Sequence, residues 1–378
     1  MQEPTLIAKN HSLKTVSYIK KKIQDAGGKI SFAEFMQAAL YAENLGYYNN
    51  IICEKFGSNG DFITAPMLGE LFAICIANQC SNIFDTLAEH NILELGAGDG
   101  QLAYQLIKHI GSKKNHNNIE LKQYLILEPS PALQNLQKTF LLNSNLSLAD
   151  QNKIAWINNL PTNFTGVILA NEVLDALPVH LFKIHNQQIM ELLVTIENNN
   201  FQLIEAKTNN HLLNKIIKLP INKDNYIQQA YTSEISLLIP NLIKSLADSL
   251  KSGSILLFDY GFLEHEYYHP DRNCGTLMCH YRHHAHHDPF FWPGLQDITA
   301  HVNFSMVIES AINNDLEVTR FSSLANFLID NNLSQEFINN IQTASELNKY
   351  KLHQEIGNLI SPTEMGEIFK VLHLNTKP

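Results

Sequence analysis

Three glycines at alternate positions, Gly96, Gly98 and Gly100, follow an apolar run ending Leu93-Glu94-Leu95. Such a turn lets the backbone reverse tightly and approach a ligand with no Cβ in the way. A dinucleotide turn spaces its glycines G-x-G-x-x-G, so that a pyrophosphate sits on the next helix N-terminus. Here the third glycine comes one residue early, and Asp99 inside the turn would repel a pyrophosphate. Other chemistry-bearing residues stand at comparable places. Glu128 closes the apolar run 123–127 and is suited to accept hydrogen bonds from two ribose hydroxyls. Charge-assisted bonds of that kind contribute roughly 1.5–3 kcal/mol each. Ser130 is the competing cap for the helix that follows. Glu172 and Asp175, just after Asn171, would share a face if the chain turns helical there. Such a pair would orient a guanidinium and offset its charge, whereas capping plus one solvated acid is the plainer alternative. Trp156, Ile157 and Asn158 end a third apolar run, where the base of a nucleoside would lie, and core packing is an equal alternative for Trp156.

These residues need a sheet to gather them. Short apolar runs at 92–95, 123–128, 154–157, 166–171 and 254–259 alternate with helical patterns, notably after Gln101 and over 131–142. That alternation predicts an α/β fold with a parallel-rich sheet and right-handed crossovers. Ligands of open α/β sheets bind outside the carboxyl ends of the strands. The rule collects Glu94 to Gly100, Glu128, Asn171 to Asp175 and Asp259 to Gly261 on one rim.

The remaining segments read as additions to this core. Residues 1–50 look helical, with a capping box at Ser31 and Glu34. An apolar face of Phe32, Phe35, Met36, Ala39 and Leu40 suits either packing or a lid. A turn-rich loop over 56–66 leads into a helix expected over 67–82. Residues 111–118 read as a polar surface loop. Residues 181–206 alternate as a meander of strands (181–185, 189–196, 201–206), and a helix-rich piece precedes 254. Residues 262–304 are rich in His and aromatics and lack periodicity. The tail reads as a helix (306–313), a strand (317–321) and further helices, the last started by Ser361-Pro362. The expected organisation is a helical lid and covering loop (1–90), a core (91–180 and 251–261 with 305–378), and insertions forming a substrate cap (181–250 and 262–304).

The chain has 378 residues and a formal net charge of −10. A surface of that sign argues against general nucleic-acid binding, though one local basic groove is compatible with it. The five cysteines include no C-x-x-C pair, and the gaps Cys75/Cys80 and Cys274/Cys279 do not match zinc spacings. They read as reduced thiols. The histidines between His265 and His301 have no H-E-x-x-H or ordered carboxylate beside them, so no metal is expected. No apolar run reaches membrane-spanning length, and the N-terminus shows neither a signal-peptide core nor an Arg-rich presequence. The expected location is therefore cytoplasmic.

Several stretches together resemble a known family. The turn Glu94-Leu-Gly-Ala-Gly-Asp-Gly-Gln-Leu102 is similar to motif I of class I S-adenosylmethionine (SAM)-dependent methyltransferases. With it go Gly60-Asp-Phe-Ile-Thr-Ala-Pro66, Leu127-Glu-Pro-Ser130, Asn171-Glu-Val-Leu-Asp-Ala-Leu-Pro178, Asp259-Tyr-Gly261, Gly275-Thr-Leu277, Pro293-Gly-Leu-Gln-Asp-Ile-Thr-Ala-His-Val302 and Met365-Gly-Glu367. Across nearly the whole chain this set resembles the MidA family of class I SAM-dependent methyltransferases. The glycine turn is generic to the class; the Asn171 and Gln296 stretches are far more specific. Mitochondrial members of the family are protein-arginine methyltransferases acting in assembly of respiratory complex I. Family members often carry Pro at the position of Ala97 and Arg or another residue at that of Asp99, variable slots of the turn.

The resemblance implies a class I, Rossmann-like methyltransferase fold, SAM as cofactor and S-adenosyl-L-homocysteine (SAH) as product. It implies that Asp61, Thr64, Glu94, Gly96, Gly98, Gly100, Glu128, Asn158 and Asn171 bind the cofactor. Asn171, Glu172 and Asp175 would be catalytic. Asp259, Tyr260, Gln296, Asp297 and Thr299 would meet the substrate. The expected reaction is methyl transfer to an arginine nitrogen of a partner protein, with a respiratory-complex subunit as candidate substrate and a homodimer as candidate assembly. The rival expectations are a small-molecule or O-methyltransferase and a SAM-binding assembly chaperone without turnover. An NAD-dependent oxidoreductase is disfavoured by the early third glycine.

Overall fold

The computed structural model describes residues 3–52, 55, 57, 60–61, 64–111, 120–226 and 229–377. From residue 112 on, the expected polar loop at 111–118 lies outside them, as do Cys53 and several positions of the loop over 56–66. The chain forms two compact units. One comprises Ile63–Val173, Leu242–Gly261 and Ile308–Pro378; the other comprises Met1–Phe62, Leu174–Asn241 and Phe262–Val307.

The first unit is built on a mixed sheet of β1 (Asn91–Leu95), β2 (Gln123–Leu127), β3 (Ile154–Ile157), β4 (Phe164–Asn171), β5 (Leu250–Phe262), β6 (Leu316–Ser323) and β7 (Phe369–Thr376). The strands lie in the order β6-β7-β5-β4-β1-β2-β3. Neighbours from β5 to β3 are parallel, and β7 runs antiparallel to both β5 and β6. This is the expected α/β class. Every residue of β1 is buried, as a central parallel strand covered on both faces requires. The order reverses at β1, which makes the carboxyl ends of β1 and β4 the switch point where such sheets take ligands.

Register fixes the rim. Leu95 stands opposite Leu127 and Ala170, Leu127 opposite Ile157, and Asn171 opposite Phe258. One residue beyond that row lie Gly96, Glu128 and Asn158, beside Asn171. Helices α1 (Leu71–Phe84), α2 (Gln101–Gly111) and α3 (Pro131–Leu142) belong to this unit. Ser130 caps α3 by accepting the Leu133 N–H at 3.3 Å, with Pro131 in the first turn.

Two expectations fail here. The helix expected over 67–82 is split into Ala65–Leu68 and α1. Between them Gly69 lets Glu355 come so close that a Cβ at Gly69 would sit 2.0 Å from its Oε2. Glu355 Oε1 accepts the Leu71 N–H at 2.6 Å and so caps α1. Nor does Ser361-Pro362 start the final helix: Ser361 closes the helix Glu346–Ile360, the last helix is the short Met365–Ile368, and the chain then enters β7. Phe369, Val371, Leu372 and Leu374 are fully buried. Such a short apolar run has no period that separates strand from helix.

The second unit has a five-stranded antiparallel sheet. The expected meander is there as His180–His185, Gln188–Glu197 and Asn200–Lys207, joined by Lys29–Ser31 and Tyr231–Ile235. Helices Leu6–Asp25 and Phe32–Tyr41 flank it, the second opened by the expected capping box of Ser31 and Glu34. Phe32, Phe35, Met36, Ala39 and Leu40 pack with Val194 and Ile298 in one core. The stretch 262–304 is more regular than its sequence: Met278–Tyr281, His284–His286 and Asp297–Thr299 form a small antiparallel sheet. Strands of three or four residues are too short to display an alternation.

Candidate active site

The glycine turn is left-handed at all three glycines, with φ of +61° at Gly96, +55° at Gly98 and +90° at Gly100. Gly96 donates its N–H to the Leu127 carbonyl at 3.0 Å, tying the turn to the end of β2. A Cβ there would lie 3.3 Å from Val173 Cγ2 in a backbone conformation that side chains rarely adopt. Asp99 Oδ1 accepts the Gln101 N–H at 2.9 Å, so its carboxylate opens α2. Glu94 is buried in β1 and its Oε2 accepts the Tyr124 hydroxyl at 2.7 Å. Burial pushes the Glu94 carboxyl up to about 8, opposed by the Tyr124 bond and reinforced by Asp99 and Glu128.

Glu128 is 3% exposed. Its Oε1 accepts the Ser130 N–H at 2.9 Å and its Oε2 accepts Gln137 Nε2 at 3.1 Å. Burial raises its pKa and these two bonds oppose the rise. Because Ser130 caps α3 through its own hydroxyl, the Glu128 carboxylate is not consumed as the cap. Gln137 also donates to the Gly98 carbonyl at 3.0 Å and accepts the Trp156 indole N–H at 3.0 Å. The sequence reading missed Gln137. The available signal was a polar residue on the buried stripe of α3, between Leu133 and Leu141. Asn158 Oδ1 accepts Gln134 Nε2 at 3.3 Å, and the same nitrogen reaches the Glu128 carbonyl at 2.7 Å.

At the end of β4, Asn171 Nδ2 donates to Glu172 Oε1 at 3.1 Å. Glu172 is held with φ +52° while its N–H donates to the Phe258 carbonyl at 2.9 Å. The segment after Asn171 forms bends and a turn rather than a helix. The shared helical face expected for Glu172 and Asp175 is therefore absent, because a left-handed residue cannot propagate an α-helix. The unit boundary also falls between Val173 and Leu174, so the two carboxylates belong to different units. Asp259 is fully buried and its Oδ1 accepts the Tyr260 N–H at 2.9 Å. The Tyr260 ring meets Phe369 edge-on, centroids 4.6 Å apart. Thr64 is half-buried at the start of the helix Ala65–Leu68.

The second unit collects the other expected residues. Asp61 Oδ2 accepts the Tyr47 hydroxyl at 2.7 Å and its Oδ1 accepts the Arg282 N–H at 2.6 Å, which fastens its loop to the 282 turn. Asp297 Oδ1 accepts the Tyr48 hydroxyl and the Ile298 N–H, each at 2.9 Å. Burial pushes Asp297 up to about 7, with Asp61 adding to the rise. The Tyr48 ring stacks on Tyr41 at 5.5 Å and meets Tyr47 edge-on at 5.0 Å. The Asp175 carbonyl accepts the Ala300 N–H at 2.9 Å, and the Asp175 charge is one of those holding the Tyr48 phenol far above its usual range, after burial and Asp297. Gln296 Nε2 donates to the carbonyls of Asp288 and Pro289 at 3.1 and 2.9 Å, and Thr299 pairs with Met278 in the small sheet. Carboxylates among tyrosine faces suit a cation. The tyrosines were not foreseen.

Among the described residues no group of three or more His, Cys, Asp or Glu is placed to hold a metal ion. Nor is any described helix long and apolar enough to cross a membrane.

The rim of this sheet thus carries a left-handed glycine turn without Cβ atoms, a buried carboxylate one strand away and an oriented indole at the next. The family described as S-adenosyl-L-methionine-dependent methyltransferase matches residues 75–322. The chain belongs to that family. It is similar to zebrafish protein arginine methyltransferase NDUFAF7, mitochondrial, with 28% identity over 93% of this chain and 85% of that protein. The human protein of the same name is 25% identical over 97% of this chain and 84% of its own length. A crystal structure from Burkholderia thailandensis, solved with S-adenosyl-homocysteine bound, is 31% identical with a TM-score of 0.90, covering 99% of this chain and 95% of that one. The chain is thus a SAM-dependent methyltransferase of class I, Rossmann-like fold, as its resemblance to the MidA family implied. The expectation of a cytoplasmic location is corrected: the similar zebrafish, nematode and frog proteins are mitochondrial by name, which points away from it. That expectation rested on the look of the N-terminal residues, which is weak ground beside whole-chain likeness.

Proposed function

We propose that this methyltransferase transfers the methyl group of SAM to a guanidinium nitrogen of an arginine in a partner protein. The observation that carries the reading is the Tyr48–Asp297 pair with Tyr41, Tyr47, Asp61 and Asp175 about it, a cluster suited to a planar cation. The names of the similar proteins support it.

Glu94, Gly96, Gly98, Gly100, Glu128, Asn158 and Asn171 would hold the cofactor, the role that the resemblance also implies for Thr64 and Asp61. Glu128 would accept both ribose hydroxyls. Bound SAM supplies a methyl carbon made electrophilic by its sulfonium sulfur. The chain's own residues handle the acceptor. A guanidinium is always protonated and nucleophilic only where its charge is drawn elsewhere. Glu172, positioned by Asn171, would draw that charge onto the nitrogens it binds and offset it in the product, the role that the resemblance also implies for Asp175. Asp297, Gln296 and Thr299 of one unit would recognise the substrate, the role that the resemblance also implies for Asp259 and Tyr260 of the other. Holding the nitrogen in line with the methyl is the main source of acceleration open to such a site, worth roughly 7–11 kcal/mol when orientation is complete. The lid, core and cap division expected from the sequence is part of this proposal. So are a respiratory-complex subunit as substrate and a homodimer as assembly.

The test is incubation of the protein with labelled SAM and a lysate, followed by acid hydrolysis and amino-acid analysis. Label in methylarginine is expected. Label only in small molecules or on hydroxyls would overturn the arginine reading. Capture of a partner protein with no label anywhere would favour docking without turnover.

A further inference from the structure

Gln137 is fully buried on α3, yet it is polar, and every polar contact it makes is to a different part of the rim. Its Nε2 donates to the Gly98 carbonyl at 3.0 Å and to Glu128 Oε2 at 3.1 Å; its Oε1 accepts the Trp156 indole N–H at 3.0 Å. These partners follow β1, follow β2 and lie on β3. The amide sense is determined by chemistry: an indole N–H can only donate and a carbonyl or carboxylate can only accept. A flipped amide would face oxygen to oxygen twice. All three bonds are thus mutually dependent, and a fully satisfied buried network of this kind is rigid.

We propose that Gln137 is the positioning residue of the cofactor site, holding the ribose-binding carboxylate of Glu128, the glycine turn and the Trp156 indole in one fixed arrangement. The proposal rests on the reading of Glu128 as the ribose acceptor. With Ser130 N–H on Oε1 and Gln137 Nε2 on Oε2, both carboxylate oxygens are oriented and each keeps a lone pair for one hydroxyl. The Gln137 bond also favours the ionised form of Glu128 against burial, which disfavours it. Gln137 therefore acts on ribose recognition without touching the ribose itself.

The test is calorimetric titration with SAH and with its 2′-deoxy analogue, alongside thermal unfolding. Gln137→Met should weaken SAH by about tenfold and the deoxy analogue less, so that discrimination between them shrinks. In a Glu128→Ala background the same change should add little. Gln137→Glu is a second probe that keeps the shape. Protonated, the introduced carboxyl donates to Glu128 but leaves the Gly98 carbonyl facing an oxygen, so SAH binds more weakly than to the parent; as pH rises it ionises against Glu128 and SAH binding falls further. Equal weakening of both ligands, full additivity with Glu128→Ala, or a pH-independent Gln137→Glu variant would each overturn the proposal and leave Gln137 a packing residue. A folded Glu128→Ala variant that binds SAH as tightly as the parent would instead bring down the ribose reading, and this proposal with it.

Discussion

Tyr48 donates its phenol to Asp297 across 2.9 Å, joining residues 249 positions apart in the chain. Asp297 is 3% exposed and burial pushes it up to about 7. A cationic acceptor needs this carboxylate ionised. Below about pH 7 it is neutral and the charge attraction is lost, so kcat/KM should rise with pH through that value. Asp297→Asn should flatten the profile and lower kcat/KM by about 10–100-fold with SAM affinity unchanged. A pH profile identical to the parent's would remove Asp297 from acceptor recognition.

Glu172 is held at φ +52° at the end of β4. That conformation costs a non-glycine residue on the order of 1 kcal/mol. Glu172→Gly should therefore raise stability by about that amount while methyl transfer falls steeply and SAH still binds. Unfolding and transfer assays on one preparation decide it; retained transfer would dissociate the carboxylate from the reaction.

Glu94 supplies a pH dependence of stability. Its folded pKa, about 8, is raised above the ordinary 4.5 by burial. The folded form keeps its proton where the unfolded chain has lost it. The contribution is thus fully present below about 4.5 and is lost as pH rises through about 8. Glu94→Gln, with a neutral side chain of the same shape, should unfold at a temperature that falls less between those limits than the parent's. Equal slopes would mean that Glu94 is ionised in the folded protein.

Gly69 is required by a close approach. A Cβ there would meet the Glu355 carboxylate at 2.0 Å, and that carboxylate caps α1 through Leu71. Gly69→Ala should cost about 1–3 kcal/mol in denaturant unfolding, and Glu355→Gln about 1 kcal/mol. An unchanged midpoint for both would show that the cap contributes nothing to stability.

The core alternation of strands and helices was legible because each strand is a short apolar run ended by a turn or a carboxylate, and the turn residues themselves announce the reversal at Gly96. Register then put Glu128, Asn158 and Asn171 on one rim. What escaped had no local mark. The partners of Gln137 follow β1, follow β2 and lie on β3, and nothing in α3 alone names them. Tyr48 and Asp297 meet only through the fold. The strand Phe369–Thr376 has an apolar run too short to show a period, and Glu172 and Asp175 share no helical face because the left-handed Glu172 prevents the helix.

The most direct test of the account is calorimetric titration of the purified protein with SAM, SAH and NAD, beside Glu128→Ala. Saturable binding of SAM and SAH, weakened by about 10–100-fold in the variant and absent for NAD, is the predicted result. Binding of NAD in place of the SAM pair, or SAH binding untouched by loss of the Glu128 carboxylate, would contradict it.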